Sequence, residues 1–85
     1  MTNLVIYTKE TCPFCVLSKS LLKENQLAYT EVNITEDGVA RKFMQSEGHK
    51  TVPQIYKDGT IFVDGGYEGL VEYFKTKNTL GDLSL

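Results

Sequence analysis

Leu4-Val5-Ile6-Tyr7-Thr8-Lys9-Glu10-Thr11-Cys12-Pro13-Phe14-Cys15 runs from an almost unbroken apolar strand pattern into a pair of thiols at the start of a helix. An apolar run without alternation suits a strand covered on both faces, and it predicts a first strand over 3–8. From Pro13 to about Gln26 no glycine intervenes, and Phe14, Leu17, Leu21 and Leu22 recur at helical spacing among Ser18, Lys19, Lys23 and Glu24. That pattern predicts the first helix. Thr11 is its expected N-cap, and Pro13 falls in the first turn, where a missing N–H removes no intrahelical bond.

Downstream, residues 28–34 are rich in aromatic and β-branched types (Tyr29, Thr30, Val32, Ile34) and read as a second strand. Thr35-Glu36-Asp37 supplies a cap and first-turn acids for a second helix, which should end near Gly48, a natural residue just past a helix end. Val39, Phe43 and Met44 are its expected buried stripe. Asp58-Gly59 is a two-residue hairpin signal between strands over 54–57 and 60–63. Gly65-Gly66 then breaks the chain before a third helix from Tyr67 to about Lys77, with Leu70, Val71 and Phe74 at helical spacing. The order β-α-β-α-β-β-α, a parallel crossover followed by a hairpin, implies an α/β fold: a mixed four-stranded sheet with helices on both faces, the thioredoxin-like arrangement.

The 85 residues are expected to form a single domain over 1–85, just large enough for one apolar core. A composition of 41% hydrophobic and 24% charged residues is that of an ordinary globular protein. With a net charge of -2 the chain lacks the basic footprint that nucleic acid or an anionic membrane demands, so neither is expected as a partner. No signal-peptide pattern and no membrane-spanning segment is read, which makes a cytoplasmic location the expectation. In that reducing compartment a cysteine pair is catalytic or metal-binding rather than a staple, and one bridge across so short a loop would stabilise little.

For the pair itself three readings compete: a redox motif, half of a zinc site, or incidental cysteines. Zinc needs four ligands, and His49 is the only further Cys or His in the chain, so no metal is expected. The strand-to-helix context favours redox chemistry. Cys12, at the helix N-terminus and near Lys9, should be the nucleophile, because both features favour a thiolate. Cys15, one turn inside, should act second. Thr51-Val52-Pro53 places a proline where an X-Pro bond can be cis, and an extended Val52 would leave its N–H and C=O free to pair with a peptide-like ligand. Alone, Pro53 would read as the start of a strand. Gly65-Gly66-Tyr67 leads into a helix whose first amides can bind a carboxylate, although a Gly-Gly turn by itself is usually only a turn.

Taken together, Tyr7 to Cys15, Thr51-Val52-Pro53-Gln54-Ile55 and Gly65-Gly66-Tyr67 resemble, in order and approximate spacing, the small dithiol glutaredoxins, over essentially residues 3–77. The resemblance implies a glutathione-dependent disulfide oxidoreductase acting on protein disulfides and glutathione mixed disulfides. It implies no tightly bound cofactor, with glutathione as cosubstrate. The implied partners are glutathione and disulfide-containing proteins, ribonucleotide reductase among them, for a monomer. By position, Cys12 resembles the nucleophile that forms mixed disulfides, Cys15 the resolving thiol and Pro53 the cis-proline facing them. Lys9 resembles the residue meeting the glycine carboxylate of glutathione, and Phe14 lines the groove where tyrosine is commoner. Thr51 and Val52 resemble the pair that bonds the glutathione cysteine backbone. Gly66, Tyr67 and Glu68 resemble the site of the γ-glutamyl end.

The chain also departs from the pattern. Where the family often has two acids after Gly-Gly-x, the second meeting the γ-glutamyl ammonium, this chain has Glu68 and Gly69. Glu68 is then either the substitute or a first-turn acid that only favours the helix dipole. Arg41 is offset by one from a family glycine-carboxylate position and reads as a solvated surface charge, and the stretch between Asp58-Gly59 and Gly65-Gly66 is longer than usual. Two alternatives accompany the main reading: a glutaredoxin-like hydrogen donor reduced by a thioredoxin reductase, for which no C-terminal Trp signature is present, and a [2Fe-2S] carrier, against which Pro13 argues.

Overall fold

A computed structural model describes the backbone of residues 4–83 and the side chains of residues 4–75. Its elements are β1 (Leu4–Thr8), α1 (Pro13–Glu24), β2 (Tyr29–Asn33), α2 (Gly38–Ser46), β3 (Gln54–Lys57), β4 (Thr60–Ile61) and α3 (Gly66–Leu83). The four strands form one mixed sheet in the order β2-β1-β3-β4. β1 runs parallel to β2 with Leu4 opposite Tyr29, and antiparallel to β3 with Ile6 opposite Ile55. Asp58 and Gly59 turn the β3–β4 hairpin with φ of 51° and 85°, the paired positive values a tight hairpin turn requires.

The two faces of β1 differ. Leu4 and Ile6 point to one side, where Leu22 of α1, Ile55 of β3 and Leu70 and Phe74 of α3 close an apolar core with Val63. Leu22, Ile6, Ile55 and Leu70 are each 0% exposed, and full burial of such a side chain stabilises by about 1.5–3 kcal/mol. Tyr7 points to the other side, where its ring meets Phe43 of α2 at 5.8 Å and Tyr56 of β3 at 5.5 Å. Helices therefore cover both faces, as the apolar run in β1 implies. No described helix is long and apolar enough to cross a membrane.

The element order and sheet match the sequence reading, with local corrections. The buried stripe of α1 is Cys15, Ser18 and Leu22, while Phe14 and Leu17 are exposed, so the helix is rotated by about one residue from the expected face. At its start the N-cap is Cys12 rather than Thr11, and Cys15, bonded to Cys12, begins the buried stripe. In α2 the cap is Asp37, whose Oδ1 accepts from the Ala40 N–H at 3.0 Å. Thr35 is not the cap but accepts from the Glu10 N–H. The stripe accordingly begins at Ala40, and Val39 is 82% exposed. The second helix ends as expected, at Glu47 with Gly48 beyond it at φ 82°. β2 and β4 are shorter than predicted. In α3 Leu70 and Phe74 are buried while Val71 is exposed, and the helix runs past Lys77. Asn3, included in the predicted first strand, lies outside the described residues.

Candidate active site

Because β1 is parallel to β2 and antiparallel to β3, the segments leaving β1 and β2 and the segment entering β3 all lie at one end of the sheet. That topology brings together residues far apart in sequence. Thr11, with φ of 55°, makes the sharp turn out of β1; a β-branched residue seldom adopts this left-handed conformation, and such outliers cluster at functional sites. Cys12 follows with extended backbone and caps α1 through its own sulfur, which accepts from the Cys15 N–H at 3.2 Å. Its carbonyl oxygen accepts from the N–H groups of Cys15 and Val16 at 3.1 and 3.2 Å. The Cys15 amide thus points at the sulfur, and with the positive end of the helix dipole it stabilises negative charge there.

Cys12 and Cys15 form a disulfide across a Cα–Cα distance of 5.2 Å. Cys15 is 2% exposed whereas Cys12 is half-buried, so an incoming sulfur meets Cys12. Opposite it, the Val52–Pro53 peptide is cis, and the Val52 carbonyl oxygen lies 3.9 Å from Cys12 Sγ. Gln54 Nε2 donates to the Thr51 carbonyl at 2.9 Å and holds this bend. Among the described residues neither the N–H of Val52 nor its C=O enters a hydrogen bond with another backbone group.

On one side of Cys12 a cavity of about 290 Å³ is lined by Phe14, Thr51, Val52, Pro53, Gly66, Tyr67 and Glu68, with Gly65. The exposed Phe14 ring stacks on Tyr67 with centroids 5.7 Å apart. Here the glycines are steric necessities. Gly66 has φ of 62°, and a Cβ on it would stand 2.7 Å from the Pro53 carbonyl oxygen, so only glycine lets the start of α3 approach the cis-proline loop. Gly69 is equally constrained, for a Cβ there would overlap the Asp64 carbonyl oxygen and lie 2.7 Å from its carbon. Sequence reading treats Gly69 as a lost carboxylate. The structure shows a close-packed backbone contact that no side chain could share.

On the other side Lys9, Arg41, His49 and Lys50 line a cavity of about 380 Å³ that also reaches Thr51 and Val52. Lys9 is therefore separated from the Glu68 end and joins Cys12 and Cys15 in a third cavity, of about 430 Å³, with Lys19 and Glu31. Arg41 is exposed, as expected of a surface charge, but its Nη1 donates to the Ile34 carbonyl at 3.3 Å, which places the guanidinium at the rim of the cationic cavity. Sequence reading missed Arg41, His49 and Lys50 as neighbours of Lys9. Only the topology joins β1, α2 and the loop before β3.

Two polar clusters frame this end of the molecule. The Tyr56 hydroxyl donates to Glu47 Oε1 at 2.9 Å and pairs with His49 Nε2 at 2.8 Å, anchoring the 47–50 stretch to β3. Burial, assisted by Glu47, pushes the Tyr56 phenol up to about 12. Thr8 Oγ1 donates to Glu31 at 2.7 Å and Lys19 Nζ approaches the same carboxylate at 3.1 Å. The Thr8 hydrogen bond, opposed by partial burial and joined by Lys19, holds the Glu31 carboxyl below its ordinary range. Among the described residues no group of three or more His, Cys, Asp or Glu side chains is arranged to hold a metal ion.

Comparison with known proteins agrees with this geometry. The glutaredoxin family model matches residues 4–63. Glutaredoxin 1 of Rickettsia conorii is 40% identical over 76 residues, 86% of this chain and 72% of that protein. Glutaredoxin 3 of Escherichia coli K12 is 42% identical over 59 residues, 68% of this chain and 71% of that protein. The crystal structure of glutaredoxin 1 from Francisella tularensis complexed with cacodylate superposes with a TM-score of 0.68 and 28% identity, covering 100% of both chains. A buckwheat glutaredoxin–glutathione complex shares the fold, with a TM-score of 0.74 at 22% identity over 98% of this chain and 77% of that one. The fold is thioredoxin-like, the chain belongs to the glutaredoxin family, and with the Cys12–Cys15 pair it is a thiol-disulfide oxidoreductase.

Proposed function

We propose that this oxidoreductase is glutathione-dependent, reducing protein disulfides and glutathione mixed disulfides. The observation that carries the reading is that the Val52 N–H and C=O, beside Cys12 Sγ, have no backbone partner among the described residues and are flanked by Lys9 on one side and the N-terminus of α3 on the other. A γ-glutamyl-cysteinyl-glycine tripeptide offers a matching set: a cysteine backbone to pair with Val52 and a carboxylate at each end. Lys9 would take the glycine carboxylate, and the amides after Gly66 the γ-glutamyl carboxylate. Glu68, which lines the same cavity, would meet the adjacent ammonium from one position before the usual one. Phe14 and Tyr67 would close an apolar wall over the substrate disulfide.

In the cycle, Cys12 thiolate attacks a substrate disulfide, forming one S–S bond as another breaks and expelling a thiolate that takes up a proton. Cys15 then attacks Cys12, releasing the second substrate thiol and leaving the Cys12–Cys15 disulfide. Two glutathione thiols reduce that disulfide in turn, leaving as oxidised glutathione. Glutathione acts as a cosubstrate, not a resident cofactor. The substrate class would include cytoplasmic protein disulfides such as that of ribonucleotide reductase.

A second reading is favoured by Gly69, where the overlap with Asp64 leaves no place for the usual carboxylate: reduction by a thioredoxin reductase instead of glutathione. Equilibrating the oxidised protein with glutathione redox buffers decides between them. The expected midpoint lies at about -200 to -230 mV. Failure of glutathione to reduce the protein, with turnover on NADPH and thioredoxin reductase, would establish the second reading.

A further inference from the structure

The groove past Cys12 is electrically lopsided. At one end stand the stacked Phe14 and Tyr67 rings and Glu68; at the other, Lys9, Arg41, His49 and Lys50 surround one cavity that no acidic side chain among the described residues lines. Lys9, Arg41 and Lys50 gather three positive charges here in a chain whose net charge is -2. Of the nearby acids, Glu47 accepts from Tyr56 and Asp37 caps α2, while Glu10 and Glu36 do not line the cavity. Among the described residues none of Lys9, Arg41 and Lys50 is in an ion pair.

A glycine carboxylate brings two oxygens and one negative charge to the three cations Lys9, Arg41 and Lys50, so the cluster can also meet acidic side chains of a longer peptide. The direction of a longer peptide across it follows from strand geometry. A residue that exchanges both backbone bonds with a single partner residue is in an antiparallel pair, whereas in a parallel pair the bonds go to different residues. A substrate cysteine joined to Cys12 and bonded to both the N–H and C=O of Val52 is therefore antiparallel to this loop. Its next residues then lie opposite Thr51, Lys50 and His49 in that order. Residues preceding the cysteine run instead toward Pro53, Gly66 and Glu68.

We propose that the Lys9, Arg41, His49 and Lys50 cavity selects protein disulfides whose reactive cysteine is followed, within one to three residues, by aspartate or glutamate. The proposal rests on the reading that substrates pair with Val52, and it names the class of protein substrate for that site. Acids before the cysteine gain less, because at that end Glu68 opposes the attraction of the α3 amides. The cations are exposed, so each contact is modest and screened by salt, and the selectivity is a product of several.

The test uses the Cys15→Ser protein, reduced, with four synthetic peptides each carrying one cysteine as its mixed disulfide with thionitrobenzoate. Two glutamates follow the cysteine in the first peptide and precede it in the second; two lysines follow it in the third; the fourth is neutral. Cys12 thiolate attacks the peptide sulfur, the peptide becomes disulfide-bonded to Cys12, and thionitrobenzoate leaves with the electron pair, giving a coloured readout. The first peptide should react about five- to twentyfold faster than the third at low salt, the ratio shrinking toward unity near about 0.5 M salt. The second peptide should show a smaller advantage. Arg41→Glu with Lys50→Glu should invert the order, with the neutral peptide reporting whether the chemistry at Cys12 survives; if that double variant does not fold, Arg41→Gln with Lys50→Gln should abolish the preference. Equal rates for the first and third peptides, an equal advantage for the second, or a preference that survives the charge change would each overturn the proposal. Oxidised glutathione run in parallel separates the two readings: its failure to react refutes glutathione dependence and leaves peptide selectivity to be judged on the peptides.

Discussion

The site lies where two helices begin, and they begin in opposite ways. α1 starts on a cysteine whose own sulfur accepts from the Cys15 amide, so the reactive atom and the cap are one group. α3 starts on two glycines with φ of 95° and 62°, and its contribution is backbone brought close to Pro53. The first terminus supplies covalent chemistry through a side chain. The second supplies a binding surface through the lack of one. Substitutions at the α1 terminus should therefore change rate with little loss of fold, and substitutions at the α3 terminus should change stability and affinity together.

The largest expected effect tests the first half of that contrast. Cys12→Ser should bring disulfide turnover to background, because an alcohol supplies no thiolate at neutral pH, while urea unfolding of the reduced proteins should barely differ. Cys15→Ser should retain reaction with a small glutathione mixed disulfide and lose reduction of protein disulfides. Equal loss of both reactions in the two variants would break the division into nucleophile and resolving thiol that burial of Cys15 implies.

Next come the glycines of the second terminus. Gly66→Ala puts a Cβ 2.7 Å from the Pro53 carbonyl oxygen at a positive φ, and should cost about 1–3 kcal/mol as well as raise KM for glutathione. Gly69→Glu, which would restore the family's second acid on paper, meets the Asp64 backbone instead. Its expected outcome is a destabilisation of about 3 kcal/mol and weaker, not tighter, glutathione binding. A stable Gly69→Glu protein with improved KM would show that α3 can start elsewhere and that the glycine contact does not define the terminus.

The same contrast explains what could be read from the sequence. The apolar run 4–7, the Cys-x-x-Cys spacing and Asp58-Gly59 each declare themselves through residue type, and the fold follows from their order. Side-chain chemistry at Cys12 was legible for the same reason. The role of Gly69 was not, because a glycine that accommodates a carbonyl looks identical to one that merely lacks a carboxylate. Nor was the rotation of α1, since Phe14-x-x-Leu17 and Cys15-x-x-Ser18 offer equally periodic stripes and periodicity does not choose between them. The cationic cavity escaped because Lys9, Arg41 and Lys50 lie on three separate segments joined by the parallel crossover.

Smaller effects are expected from the groups that hold the framework still. Tyr56→Phe removes the hydroxyl shared by Glu47 and His49 and should cost about 1–2 kcal/mol, loosening the loop that carries Lys50 and Val52. Its pH dependence has a defined sign. The folded phenol is pushed up to about 12 from 10.0, so its contribution is complete below pH 10 and is lost as pH rises through about 12. An alkaline titration of phenolate absorbance should show the last tyrosine to ionise in the wild type missing from Tyr56→Phe, while Tyr7, raised mainly by burial, still lags.

The smallest effect concerns Glu31, which touches the disulfide end only through the shared cavity. Its carboxyl is depressed by the Thr8 hydroxyl first and by Lys19 as well, so ionised Glu31 favours the folded state. The stabilisation is present above the ordinary carboxylate value of 4.5 and disappears as pH falls through the lower folded value. The side chain is exposed and the pair screened, so Glu31→Gln should cost less than about 1 kcal/mol at pH 7. The difference from wild type should vanish in acid, and the rate at Cys12 should stay unchanged. Unfolding curves at pH 7 and below pH 4 check the first part, and mixed-disulfide kinetics check the second. A fall in the rate with intact stability would mean that α1 draws on Glu31 for chemistry, and the α1 terminus would then rest on more than its own sulfur and amides.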